Sequence, residues 1–557
     1  MRARAHTTSG ASTITTALLA AAFLTIVSAS GFAQSPPPAP EKKWSPSIDF
    51  EGKLGTQRNL GEADVMLPLW QNTTSMLFAS VRTRLDDNDG REGNFGAGFR
   101  HMTEWGWNLG AYSYFDRRRS ENFNYYNQVT VGAEALSLDW DGRFNAYIPE
   151  GRRTHQVDSF NTAEVSGTTV LLHDGEEKSL RGFDAEVGWR VPLFNPEALQ
   201  QLRLYAGGYT FYADNIDNRV QGPRGRIEFT SEETPYLWEG SRLTLGTEVQ
   251  NDGPRGTQAF FLARLRIPLQ FWDTPKVAQL TPMERRMTDR IVRDVDIVSQ
   301  AGNFGAVETA TATAGGSAIT VVNSSTTSGA NLQNALNTAG ANSTVIVSGS
   351  FNTAGAITTL QAGQTVMGAG SVVVQAPSGR TATLTTQAAT LTGNVGTSNY
   401  TVVMANNSTL MGMTVNNTDT AGNNALGVKV NGVSNAKIIN NTINATETGG
   451  GASTAHGIDV IGAASNVTIS GNTVTAQSNG GIALAIQVND PSHPSATISG
   501  NTLSASGAGT TNATVDLSQA NILSGSSGNI AVAGTCHVSA AGTGSTVQFT
   551  NAAACGP

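Results

Sequence analysis

Between residues 44 and 272 apolar side chains recur at every second position while the positions between them are polar or charged, the period of a strand whose two faces meet different surroundings. In Met76–Leu85, Leu77, Ala79, Val81 and Leu85 alternate with Ser80, Arg82 and Arg84. Trp107, Leu109, Ala111 and Phe115 oppose Asn108, Gly110, Tyr112 and Asp116. Phe183, Ala185, Val187, Trp189 and Val191 oppose Asp184, Glu186 and Arg190. The longest run sets Ala259, Phe261, Ala263, Leu265, Ile267, Leu269 and Phe271 against Arg264 and Arg266, and it places the end of the last strand at Phe271-Trp272. Arginine is costly against hydrocarbon, so the apolar face borders lipid and the charged face a polar lumen. Polar clusters such as Asp86-Asp87-Asn88-Asp89-Gly90 separate about 12 such segments, an even count that lets one chain close into an antiparallel barrel without free edges. A soluble β-sandwich alternates as well, but rarely turns so many aromatics outward with such regularity.

Helices offer no other route across a bilayer. Arg2 and Arg4, the apolar run Ala17–Val27 and the small residues Ser28–Ala33 read as an export signal, residues 1–33, whose apolar core is too short to span. No later run reaches about 18 apolar residues. A proline-rich periplasmic segment, residues 34–44, is expected next, then the barrel at 45–273 with outer-membrane lipid around it.

Four stretches of this region carry a more specific pattern: Leu67-Pro68-Leu69-Trp70-Gln71 with Leu77-Phe78, Asn94-Phe95-Gly96-Ala97-Gly98-Phe99-Arg100-His101, Tyr112-Ser113-Tyr114-Phe115-Asp116, and Gly132-Ala133-Glu134 followed by Phe144-Asn145-Ala146-Tyr147. In this order they resemble the barrel domain of intimin- and invasin-like inverse autotransporters. The resemblance implies insertion by the outer-membrane assembly machinery. It also implies export of the C-terminal region through the barrel and its display outside the cell.

Thr281-Pro282-Met283-Glu284 supplies a capping threonine, a proline at the first helical position and a glutamate three residues after the cap. From there to Val298, Arg285/Asp289, Asp289/Arg293 and Arg290/Asp294 are spaced i,i+4, and Met287, Ile291, Val295 and Val298 form an apolar stripe. Residues 274–300 are therefore expected to be a linker helix. It is either solvated between domains or, as the resemblance implies, lodged in the barrel lumen as a plug.

After residue 300 the chemistry changes. Of 38 aromatic residues only Phe304, Phe351, Tyr400 and Phe549 remain, and just nine side chains of Asp, Glu, Lys and Arg are left. Ile438-Ile439-Asn440-Asn441-Thr442-Ile443, Ile469-Ser470-Gly471-Asn472-Thr473-Val474 and Ile498-Ser499-Gly500-Asn501-Thr502-Leu503 recur 31 and 29 residues apart, one coil of a parallel β-helix each. Stacked coils would bring Asn441, Asn472 and Asn501 into a ladder of bonded amides. Lys429 and Asp459, outward on successive coils, are expected to pair. The repeats, with Ala362-Gly363-Gln364-Thr365-Val366-Met367-Gly368-Ala369-Gly370, resemble the right-handed β-helix of the pectate-lyase superfold. The fold class is thus all-β: a barrel of about 12 strands, a linker helix, then a parallel β-helix over 301–557.

That second resemblance raises the alternative of a surface-displayed carbohydrate-active enzyme, which would need carboxylates converging on one face. They are scattered, the best set being His456 and Asp459 with Asp490 and His493, where Pro491 and Pro494 mark a turn. No catalytic residue, cofactor or metal site is assigned. Adhesion to an unidentified extracellular or host-surface ligand, carbohydrate among the candidates, is the expected role. A net charge of −8 with no basic cluster speaks against nucleic acid. Cys536 and Cys555, the two cysteines, are expected to staple the C-terminal end as a disulfide in an exported compartment.

Overall fold

The computed structural model describes residues 43–556 except 235–236, 239, 270–279, 295 and 394–397. The export signal, the proline-rich segment up to residue 42 and Phe271-Trp272 lie outside the described residues. Twelve antiparallel strands close on themselves: β1 (Ser47–Gly55), β2 (Leu60–Gln71), β3 (Ser75–Asp86), β4 (Arg91–Met102), β5 (Asn108–Arg119), β6 (Tyr125–Leu136), β7 (Trp140–Glu150), β8 (Arg181–Val191), β9 (Gln200–Tyr212), β10 (Val220–Glu232), β11 (Arg242–Asp252) and β12 (Gly256–Pro268). β1 completes the ring against β12, from Ser47 opposite Pro268 to Gly55 opposite Phe260.

Alternation places Leu54, Leu69, Leu85, Phe95, Phe144, Phe183, Val187 and Phe261 outward and exposed, a belt that only lipid can cover without loss. The opposite set, including Arg82, Arg84, Arg100, Asp116, Arg143 and Glu186, is buried in the lumen. Glycines make room there. A Cβ at Gly96 would sit 2.3 Å from the Tyr114 ring, and one at Gly132 2.3 Å from the Tyr112 ring, so both tyrosines lie flat against the wall because these positions are bare. The two ends of the barrel differ. Trp70, Trp105, Trp140, Trp189 and Trp238 lie at the end where β1 starts and β12 finishes. At the other end Arg117, Arg119 and Arg181 lie over Tyr125, Phe123 and Tyr212 at 5.2, 4.5 and 4.9 Å.

The second half is a three-faced parallel solenoid. Aliphatic side chains stack inside it from coil to coil: Ile438, Ile469 and Ile498 on one face, Ile443, Val474 and Leu503 on the next, and Val402, Val428, Ile458, Ile486 and Val515 on the third. A short helix, Leu332–Ala339, presses Leu332 and Leu336 onto the first coil. At the far end, Val547 and Cys555 complete the same core. Between barrel and solenoid, the β7–β8 connection builds strands of its own: Thr154–Gln156, the hairpin Thr162–Ser166 and Thr169–His173, and Glu176–Ser179. Among the described residues no helix is long and apolar enough to cross a membrane.

Candidate functional site

The segment after Thr281 threads the whole lumen, entering at the tryptophan-bearing end and leaving beside the β7–β8 connection. Its start follows the sequence. The Thr281 hydroxyl accepts from the Glu284 amide at 3.3 Å, and the Glu284 carboxylate accepts from the Thr281 amide at 2.8 Å. The helix then stops. Among the described residues of this segment the helix covers Pro282–Arg286 alone, which corrects the expectation of a helix to Val298. The wall captures the groups that a helix would have used internally. Backbone carbonyls of Met283, Met287, Thr288, Val292 and Ile297 accept from Asn108, Arg100, Arg266, Asn145 and Arg118. The amides of Asp294 and Ile297 donate to Tyr147 Oη and Glu92.

Energetics explains the choice. An i,i+4 ion pair gives an isolated helix about 0.2–0.5 kcal/mol, whereas leaving one buried lumen charge unpaired costs about 3–5 kcal/mol. The thread's charges are therefore spent on the wall: Arg286 meets Asp141 at 2.6 Å, Asp289 meets Arg242 at 2.8 Å, Arg290 meets Glu51 at 2.7 Å and Arg293 meets Asp116 at 2.9 Å. Asp296 is clasped by Arg58 and Arg84. Met287 and Ile291 pack among Trp44, Met66, Met76, Phe78, Tyr112 and Tyr114. Two voids left in this network hold about 40 Å³ each, room for a few waters.

The four sequence stretches quoted above converge on this thread. Arg100 donates to Glu134 at 2.6 Å and to the Met287 carbonyl at 2.7 Å. Asn145 accepts from Tyr112 at 2.7 Å while donating to Asp184 and to the Val292 carbonyl. Tyr147 bridges Asp184 and the Asp294 amide, and Asp116 holds Arg293. Their individual roles were not legible beforehand, because a lumen-facing polar residue in an alternating strand gives no sign of its partner.

In the solenoid, Asn441, Asn472 and Asn501 are buried and joined side chain to side chain at 3.0 Å, each side-chain carbonyl also accepting from the backbone amide one coil below. Asn529 extends the ladder by one coil. Its signal was present, since Ser527-Gly528-Asn529 repeats Ser470-Gly471-Asn472 and Ser499-Gly500-Asn501. Lys429 and Asp459 are register partners, as the repeat implied, but the expected ion pair gives way to other bonds. The Lys429 ammonium lies over the Tyr400 ring at 5.0 Å, and Asp459 accepts from Tyr400 at 2.6 Å and pairs with His456 at 3.0 Å. Aromatic face and phenol serve both ions at once. Asp490 and His493 are not brought to this cluster: Asp490 caps the turn at Ser492 and His493 bonds the Gln519 carbonyl. Among the described residues no group of three potential metal ligands occurs. Cys536 and Cys555 are joined, their Cα atoms 5.4 Å apart.

A closed twelve-stranded barrel with a lipid-facing apolar belt and a lumen filled by its own chain defines an outer-membrane barrel protein that carries a parallel solenoid. Residues 43–224 match the family model of the inverse autotransporter beta-domain, and residues 345–552 match a family described as a protein of unknown function, DUF1565. The barrel thus carries the inverse autotransporter beta-domain over residues 43–224. No curated protein matches it. Solved structures similar to it include an outer membrane channel from Pseudomonas putida F1, with 12% identity, 42% of this chain and 98% of that one covered, and a TM-score of 0.30. The translocator domain of the autotransporter NalP from Neisseria meningitidis has 8% identity, coverage of 41% and 90%, and a TM-score of 0.22. The beta domain of the Bordetella autotransporter Brka has 10% identity, coverage of 40% and 98%, and a TM-score of 0.23.

Proposed function

We infer that this protein exports its solenoid through its own barrel, holds it on the cell surface and uses it there for adhesion rather than catalysis. The observation that carries this reading is the covalent thread 282–298, which enters the lumen at one end and delivers the solenoid at the other, so that a barrel in the membrane sets the solenoid on the face opposite the start of β1. The asymmetry of the rims supports the orientation. The arginine-and-aromatic rim lies on the solenoid's side, where guanidinium groups suit phosphate-bearing head groups of the outer leaflet.

The third solenoid face supports a binding role. Lys429, Asp459, Gln487, Asp516 and His537 follow one another in register along successive coils; Lys429, Gln487 and His537 stay accessible to a polar ligand such as carbohydrate, while Asp459 and Asp516 are buried among them. Asp459 is 2% exposed and held by Tyr400 and His456, poorly placed for acid–base work on a substrate. Protease treatment of intact cells tests display: release of fragments from beyond residue 300 is expected, and complete protection would refute it. Binding of those cells to glycan-coated surfaces tests adhesion, and polysaccharide cleavage by the same cells would overturn the non-catalytic reading.

A further inference from the structure

The outer row of the solenoid's first face changes character along its length. In the first coils it is apolar, with Val321, Ile346, Met367, Met411 and Ile439 in register; further along the same row becomes Ser470 and Ser499. Soluble solenoids keep such outward positions polar, because apolar side chains there face water. Here Val321, Ile346 and Met367 are covered by a second layer, and the barrel supplies half of it. Val170 and Leu172, from the hairpin in the β7–β8 connection, are 1% and 0% exposed in one core with Val321, Ile346 and Met367. The solenoid's own hairpin, Gly370–Gln375 and Thr381–Thr386, supplies the rest.

The barrel strands occupy the middle of this layer. Val307–Ala310 adds to Thr169–His173 on one side, Val170 opposite Ala310, and Thr381–Thr386 adds to Thr162–Ser166 on the other, at Leu384 opposite Ala163. Just before, the chain leaving the lumen is paired at once, Ser299–Gly302 against Glu176–Ser179. Arg380 of the solenoid hairpin also forms an ion pair with Asp174, which is wholly buried.

We propose that the hairpin Thr162–His173 is a folding template for the passenger: it presents formed strand edges and two apolar side chains on which the first coils assemble. The physical need is clear. Parallel coils pair strands far apart in sequence, so their first closure is slow, and a preformed edge removes part of that entropic barrier. The hairpin belongs to the barrel, which precedes the solenoid in the chain, and its two strands pair with each other locally through the turn at Gly167. This role goes beyond display and does not depend on it.

The test is refolding of the full-length chain from urea into detergent micelles, with barrel folding followed by heat-modifiable gel mobility and passenger folding by the appearance of proteinase K resistance. V170S/L172S should leave the barrel rate unchanged and slow passenger resistance by on the order of tenfold, as expected for contacts formed in the folding nucleus. V170I/L172M, which keeps the apolar surface, should restore the wild-type rate. Passenger resistance appearing at the wild-type rate in V170S/L172S overturns the proposal, even if the final state is less resistant, since the hairpin would then be only a cap. Failure of the barrel itself to fold in that variant also overturns it, by making the hairpin part of the barrel fold. No cell surface is involved, so these outcomes are independent of the protease experiment that tests display.

Discussion

Arg293 of the lumen thread and Asp116 of β5 meet at 2.9 Å with side chains 3% and 0% exposed, 177 residues apart in the chain. The same guanidinium lies over the Tyr114 ring at 4.4 Å. Asp116→Ala would leave this buried cation without its carboxylate and should destabilise the plugged barrel by about 3–5 kcal/mol. The temperature at which the heat-modifiable form is lost should fall accordingly. An unchanged transition would mean that the pair contributes no net stability.

Because the thread fills the lumen with charged and backbone contacts, deleting residues 282–298 should open a conducting path. Single-channel conductance in planar bilayers should rise from near zero to that of an aqueous pore. Equal conductance for deletion and wild type would show that something other than the thread closes the barrel.

Asn472 donates to Ile438 and Asn501 and accepts from the amide and side chain of Asn441. Asn472→Ala strands several buried groups at once and should destabilise the solenoid by about 2–4 kcal/mol, whereas Asn444→Ala, which removes one partly buried bond to Asn416, should cost under about 1 kcal/mol. Urea titration of the full chain, read by loss of protease resistance beyond residue 300, separates the two. Equal effects would argue against a ladder that supports the fold.

Burial of His456 works against its charged form, but the charge and hydrogen bond of Asp459, with help from Asp516, override this and leave its pKa above the ordinary 6.5. A group that binds its proton more tightly when folded contributes fully below its unfolded-state pKa and loses that contribution as pH rises through the folded-state value. The passenger's urea midpoint should therefore fall as pH climbs above about 6.5, and His456→Gln should flatten the slope. If the slope survives in that variant, His456 is not its source.

The barrel was legible because alternation is local: ten residues suffice to separate Leu77 and Val81 from Arg82 and Arg84, and each further strand repeats the message. The coils were legible for the same reason at a longer period. What escaped was structure decided by distant partners. Arg290 and Asp294 look like a helical pair until Glu51 and Glu62 from one strand pair and Arg224 from another claim them. Thr162–His173 alternates like any hairpin, and nothing within it tells that Val170 will face Val321, because that surface is built about 150 residues later. The helix beginning at Thr281 was readable in its cap and unreadable in its length, since caps are local and wall contacts are not.

The lumen thread also determines how the molecule bears force. Once the solenoid has been pulled from the β7–β8 hairpin, tension would reach the membrane through residues 286–297, where ion pairs and backbone hydrogen bonds to β1, β4, β5, β7, β10, β11 and β12 lie along the thread. Tension along the chain shears such bonds together rather than peeling them one by one. The anchor should thus fail as a unit, at a load set by the whole barrel rather than by its weakest contact.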